Sequence, residues 1–145
     1  MDEYIYEIKW DGYRIISYVE NGKVRMDSRS ALDYTKKYPP IKQALETLQH
    51  DVVVDGEVVV CDHEGKPSFD ALQKFNGHSS PINYCVFDIL WLDGNNLMTL
   101  PLIERKTILK EIVKDIPVLR YSESFENGMT LFDNIVAQGL EGIVA

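Results

Sequence analysis

The stretch "EIKWDGYR", Glu7 to Arg14, places a lysine and an arginine five residues apart around an Asp-Gly pair, with a glutamate two positions before the lysine. A lysine is a nucleophile once it has lost its proton, and two cations beside a tight turn suit an anionic ligand. In "YIYEIKW" the alternation puts Tyr4, Tyr6, Ile8 and Trp10 on one strand face. Ile5, Glu7 and Lys9 fall on the other, with Glu7 and Lys9 about 7 Å apart along the backbone. Arg14 opens the next strand, so a turn at Asp11-Gly12 brings it back towards Lys9. Taken alone, the same residues also read as a half-exposed strand carrying solvated charges.

Other acids interrupt apolar runs in "DGEVVV", "VFDILWLDG" and "LEGIVA". A lone acid in a strand usually points to solvent. Glu57, between Val52–Val54 and Val58–Val60, and Glu141, just before Ile143 and Val144, are costly if buried without a partner. A sugar hydroxyl, a metal or a lysine supplies one.

The elements that must position these groups are read from period and punctuation. "YRIISYVE" and "KVRMDS" flank Asn21-Gly22, a hairpin signal. "PPIKQALETLQ" predicts a helix opened by prolines, and "SFDALQKF" a short helix capped by Ser68. "DVVVDGEVVVCD" is strand-like but broken at Asp55-Gly56, and "INYCVFDILWL" is a long strand ending at Asp93-Gly94. "PLIERKTILKEIV" carries Leu102, Leu109, Ile112 and Val113 at helical spacing behind Pro101. "VLRYSE" is a short strand, "GMTLFDNIVAQG" a helix closed by Gly139, and "EGIVA" the beginning of a strand. Hairpins interleaved with helices predict an α+β domain of mainly antiparallel sheets flanked by helices.

Composition bounds the function. The 145 residues are 45% hydrophobic and 26% charged, which suits one globular domain with its own core. No apolar run reaches the ~18 residues of a membrane span, and the N-terminus has no signal-peptide pattern, so a cytoplasmic location is expected. The formal net charge of −8 argues against nucleic-acid binding by the surface as a whole, though not by a local face. Cys61 and Cys85 lie inside apolar runs and are expected to be buried free thiols. A strand within the first residues and an abrupt end at Ala145 lead us to expect part of a larger protein.

The ordered set "KWDGYR", "SRS", "DGEVVV", "YCVFDIL" and "EGIVA" resembles the collinear motifs of the covalent nucleotidyltransferases, the ATP-dependent DNA ligases, RNA ligases and mRNA-capping enzymes. Within that superfamily, "YEIKWDGYR", "SFDALQKF" and "YCVFDILWLDGNNLMTLPLIERKTIL" are most similar to the adenylation domain of bacterial end-joining DNA ligases. The resemblance implies the nucleotidyltransferase fold and a role for each matching residue. Lys9 matches the lysine that attacks the α-phosphate of ATP and becomes lysyl-AMP. Glu7 matches a contact to the adenine amino group, Arg14 and Glu57 match the residues holding the ribose hydroxyls, and Phe87 matches the ring that stacks on adenine. Glu141 matches the carboxylate serving the catalytic Mg2+, and Arg29 an arginine near the phosphate of nicked DNA.

Several of these positions have a plainer competing role. Phe87 shares its alternation with Cys85, Ile89 and Trp91, so a core position competes with a ligand contact. Arg29, and the lysines of "TKKYPP", also read as solvated charges. Asp11 and Asp88 read as acids that fix turns, and His50, His63 and His78 fall in loops.

The chain departs from the family where Ser30-Ala31 stands in place of the usual Asn-Gly. It also stops before the lysine expected after "EGIVA", so the later lysine motif and the C-terminal oligonucleotide-binding domain are expected to be absent from residues 1–145. The expectation is therefore a partial adenylation domain over residues 1–145, monomeric, from an enzyme that seals nicked double-stranded DNA in repair. An RNA ligase or capping-type enzyme is the alternative, as is a fragment that binds nucleotide without turnover.

Overall fold

The computed structural model of the protein describes residues 6–9, 12–61, 66, 68–75, 81–122, 124–125 and 142–144; for 6–9, 124–125 and 142–144 it describes the backbone. In chain order the described elements are β1 (Tyr6–Lys9), β2 (Tyr13–Glu20), β3 (Lys23–Ser28), α1 (Pro39–Glu46), β4 (Val52–Val60), α2 (Phe69–Gln73) and β5 (Ile82–Leu92). There follow β6 (Asn95–Asn96), α3 (Leu102–Val113), β7 (Leu119–Tyr121), β8 (Ser124–Phe125) and β9 (Gly142–Val144). A larger sheet runs β3-β2-β4-β5-β6, with β7 added parallel to β5. A smaller one runs β8-β1-β9, antiparallel throughout. The α+β expectation, mainly antiparallel sheets with flanking helices, is borne out, the β5–β7 pair being the parallel exception.

Local chemistry explains most boundaries. Asn21 and Gly22 both take positive φ, 51° and 77°, as a two-residue hairpin turn between β2 and β3 requires. Asp93 and Gly94 do the same after β5. Prolines occupy the first turn of α1, where the missing N–H costs nothing. The Ser68 hydroxyl accepts the Ala71 N–H at 3.1 Å and caps α2. The expected helix over "GMTLFDNIVAQG" lies outside the described residues.

One face of the larger sheet makes the core. Ile15 and Val19 of β2, Val52, Val54, Val58 and Val60 of β4, and Tyr84, Val86 and Ile89 of β5 are buried there beneath α1, α2 and α3. Two polar side chains within it satisfy each other. Ser17 Oγ donates to Tyr84 Oη at 3.1 Å, and Tyr84 Oη donates to the Ile15 carbonyl at 2.6 Å.

The structure corrects the reading of Asp55-Gly56 as a strand break. β4 runs unbroken through both residues. A Cβ on Gly56 would lie 2.6 Å from the Cys85 carbonyl oxygen and 2.9 Å from the Tyr84 ring. Glycine is there because β5 and the buried tyrosine leave no room for a side chain.

Candidate functional site

The side of the larger sheet opposite the core carries the candidate residues. Register sets Arg14 of β2 opposite Glu57 of β4, Glu57 opposite Cys85 of β5, and Cys85 opposite Arg120 of β7. One row across four strands thus holds two arginines with a half-buried glutamate between them. From that row Arg14 reaches diagonally to Asp55, two residues along β4. Its Nε donates to Oδ1 at 3.1 Å and its second terminal nitrogen donates to Oδ2 at 2.6 Å. Asp55 is 7% exposed in its side chain and Arg14 45%. The Asp55 hydrogen bonds raise the Arg14 pKa above its ordinary value against the opposing effect of partial burial, and the charges of Asp55, Glu57 and Asp88 add to the rise. Arg14 is a permanent cation.

Phe87 shares the parity of Cys85 and so lies on the same side, at an irregularity of β5. The β4–β5 register passes from Asp55 opposite Asp88 to Gly56 opposite Val86, which leaves Phe87 as the extra residue of a bulge. The competing expectation that Phe87 shares a face with Ile89 fails for this reason. Ile89 joins Tyr84 and Val86 in the core, whereas Phe87 stays partly exposed, its ring centroid 5.5 Å from the Arg14 guanidinium carbon. An Arg14–Glu57–Phe87 group is therefore assembled around Asp55.

Two residues of α3 hold the bulge from behind. Arg105 Nε donates to Asp88 Oδ1 at 2.8 Å, and its terminal nitrogens reach Asp88 Oδ2 at 3.2 Å and the Leu100 carbonyl at 2.6 Å. Asp88 Oδ1 also accepts the Ile89 N–H at 2.8 Å. Lys106, 2% exposed, donates from Nζ to the Phe87 carbonyl at 2.7 Å and lies 5.3 Å from the Tyr121 ring centroid. Asp88, expected to fix a turn, instead ties β5 to α3.

Lys9 ends β1, where its backbone pairs with Gly142 of β9. Glu7 pairs with Val144 on one side and Ser124 on the other. The ladder thus brings the segment just after Glu141 alongside Lys9. Glu141, like Asp11, His63 and His78, lies outside the described residues. The glycine of "KWDG" has a tertiary purpose. A Cβ on Gly12 would lie 2.0 Å from the Val58 carbonyl oxygen, so the backbone at Gly12 passes directly against β4 beside Glu57.

Arg29 stands exposed in the turn after β3, one residue beyond Ser28, which pairs with Ile15, the neighbour of Arg14 in β2. That turn keeps a glycine-like shape without glycine, with Ala31 at φ 63° and its N–H on the Ser28 carbonyl at 2.9 Å. Lys37 of "TKKYPP" is not simply solvated, since its ammonium lies 4.6 Å from the Tyr34 ring centroid and 5.7 Å from that of Tyr13. His50 Nδ1 meets Asp93 Oδ2 at 2.7 Å, which ties down the end of β5. Cys85 is a buried free thiol as expected, but Cys61 is only half buried.

Sequence reasoning missed Asp55, Arg105, Lys106 and Arg120. Lys106 left a signal: with Leu102, Leu109 and Val113 it completes an i, i+4, i+7, i+11 stripe, a lysine at a core position. Asp55 left a weaker one, an acid inside a valine run facing the same way as Glu57. Among the described residues no cluster of three or more His, Cys, Asp or Glu side chains is arranged to hold a metal, and no helix is long and apolar enough to cross a membrane. A cleft of about 380 Å³ lies further along the sheet, bordered by Tyr18, Glu20, Val53 and Trp91, away from Arg14 and Phe87.

Comparison with known proteins identifies the family. The family described as ATP dependent DNA ligase domain matches residues 1–145. The chain is 33% identical over 144 residues to the multifunctional non-homologous end joining protein LigD of Mycolicibacterium smegmatis, covering 99% of this chain and 19% of that protein. It is 34% identical over 147 residues to the SPbeta prophage-derived DNA ligase-like protein LigB of Bacillus subtilis, covering 99% of this chain and 54% of the relative. A solved mycobacterial DNA ligase D complexed with ATP and MES superposes with a TM-score of 0.85 at 35% identity, over 96% of this chain and 46% of that one. The chain thus spans about a fifth of the LigD protein and about half of the LigB protein and of the solved ligase. With a match over its whole length and ligase relatives at a third identity, the chain belongs to the ATP-dependent DNA ligase domain family.

Proposed function

We propose that residues 1–145 are part of the adenylation domain of an ATP-dependent DNA ligase that seals nicked double-stranded DNA in end-joining repair. The observation that carries this reading is the Arg14–Glu57–Phe87 group, with Arg14 opposite Glu57 in register and 5.5 Å from the Phe87 ring centroid. An adenine nucleoside needs an aromatic face for the base and polar side chains for the ribose hydroxyls, and the group offers both. In this reading Phe87 stacks on adenine, Glu7 accepts from its amino group, and Arg14 and Glu57 hold the ribose.

Lys9 is then the nucleophile. Its neutral amine forms a P–N bond to the α-phosphorus of ATP, the α–β anhydride bond breaks, pyrophosphate leaves with the electron pair, and the amine releases a proton to solvent. AMP next passes from Lys9 to the 5′-phosphate of the nick. The 3′-hydroxyl then attacks that phosphate, joins the strand and releases AMP. Glu141 would hold Mg2+ beside Lys9. Carboxylate oxygens are the donors magnesium takes, and the pairing of Lys9 with Gly142 supports the placement. When bound, the metal neutralises charge developing on the transferring phosphate.

Arg29 is assigned to the nick phosphate. An oligonucleotide-binding domain elsewhere in the protein would supply further lysines and most of the DNA surface, consistent with a chain of net charge −8. We place the protein in the cytoplasm, acting as a monomer.

The test is retention of label. The whole protein is incubated with magnesium and ATP labelled at the α-phosphate, then denatured. Label is expected on the parent and absent from Lys9→Ala. Equal label on both, or on neither, defeats the mechanism, and labelling by GTP in place of ATP would assign a capping-type enzyme.

A further inference from the structure

We propose that Lys106 and Arg105 are positioning residues for nucleotide binding, because they hold the β5 bulge at which Phe87 stands and so fix the angle of its ring. The inference rests on the nucleotide reading of Phe87 given above. Alternation from Tyr84 and Val86 puts Phe87 on the side away from the core, and the bulge keeps Asp88 on that side with it while Ile89 turns inward. Residues 84, 86 and 89 all face the core, so the parity of β5 changes at Phe87–Asp88. A bulge leaves backbone groups outside the ladder, and these need other partners if the distortion is to persist. Each found here involves Asp88 or α3. The Lys106 ammonium takes the Phe87 carbonyl, Asp88 Oδ1 takes the Ile89 N–H, and Arg105 fixes the Asp88 carboxylate at two points.

Consecutive residues of α3 thus grip consecutive residues of β5. Lys106 occupies a position on the buried stripe of α3 where leucine or methionine would pack without an ammonium to desolvate. Burying a lysine there makes sense if its donor is required at the bulge. The Lys106 Nζ also reaches the Ser122 carbonyl at 3.4 Å, which joins the end of β7 to the same point. With the bulge relaxed, the backbone at Phe87 would straighten and alter the angle at which its ring meets a base.

A double-mutant cycle in the whole protein tests this, read as the KM for ATP and the kcat of self-adenylation. Phe87→Ala is expected to raise KM about tenfold, the loss of one stacking contact. Lys106→Met is expected to raise KM by a similar factor with kcat changed less than about threefold, and Lys106→Arg to recover part of the loss. The decisive result is the combination: Phe87→Ala/Lys106→Met should bind ATP no worse than Phe87→Ala alone.

Multiplicative losses in the double variant, or a normal KM in folded Lys106→Met, overturn the inference. A normal KM in Phe87→Ala overturns the nucleotide reading instead. If Lys106→Met does not fold, Arg105→Gln releases the Asp88 side of the bulge from a less buried position and enters the same cycle with the same expected outcomes.

Discussion

Arg14 and Asp55 form a two-point ion pair across β2 and β4, with nitrogen–oxygen distances of 3.1 and 2.6 Å. The pair explains why an acid sits inside the valine run of β4. Two of the five guanidinium N–H groups are committed to Asp55, which fixes the plane of the fork and leaves the others for a ligand. Arg14 is thus oriented before any ligand arrives, and preorganisation of this kind favours binding by lowering its entropic cost.

Removing that orientation should weaken nucleotide binding more than chemistry. Asp55→Asn keeps the shape but replaces the charged acceptor by an amide. We expect the KM for ATP to rise about tenfold with kcat little changed, together with a stability loss of about 1–3 kcal/mol from the compromised buried hydrogen bonds. Self-adenylation kinetics and urea melts measure the two effects. An unchanged KM would show that Arg14 needs no anchor.

The glycine of the lysine motif should be intolerant for steric reasons. The atom a Gly12 Cβ would strike, at 2.0 Å, is the backbone carbonyl oxygen of Val58, which cannot rotate away as a flexible side chain would. Gly12→Ala should therefore cost about 2 kcal/mol or more by forcing the β1–β2 connection off β4. It should also slow self-adenylation by displacing Lys9. A melting temperature within a degree of the parent would contradict the close approach.

How much of this was legible in the sequence depended on whether the cause was local. Asn21-Gly22, Ser68 and Pro39-Pro40 announce a turn, a cap and a helix start because each effect is confined to a few residues. Arg14, Glu57 and Phe87 stood out because polar or aromatic groups recur at fixed places in apolar strands, and the resemblance to a family gave them roles. Gly56 was misread because its cause is the neighbouring strand, not the turn that Asp-Gly normally signals. The parity of Phe87 and Ile89 was misread because no local residue marks a bulge held in place from α3. Lys106 was overlooked although its spacing put it on the buried stripe.

Ala31 offers a stabilising change. Its φ of 63° lies in the left-handed region, which costs an L-residue about 1–2 kcal/mol relative to glycine. Glycine's greater freedom in the unfolded chain offsets part of the gain. Ala31→Gly should stabilise the domain by roughly 0.5–1 kcal/mol and raise its melting temperature by about 2–4 °C, checked by calorimetry. Because Arg29 lies in the same turn, the substitution also tests whether the turn's shape is already suitable. Unchanged nick-sealing would mean that Ala31 holds the geometry glycine would give.

Cys85 sets a pH signature of its own. Burial pushes its thiol up to about 12, with the nearby Glu57 and Cys61 adding to the rise and Arg120 opposing it. A thiol in an unfolded chain ionises near pH ~8.5. Between these values the unfolded chain has released a proton that the folded chain still holds, so the unfolded state binds fewer protons. Stability must therefore fall as pH rises through that window, by about 1.4 kcal/mol per pH unit from this group at full slope. Cys85→Ala should flatten the fall between about pH 9 and 11. The same protection makes Cys85 inert to a thiol reagent at pH 8 until the protein unfolds. Labelling of Cys85 in the native protein, or an unchanged pH dependence in Cys85→Ala, would contradict it.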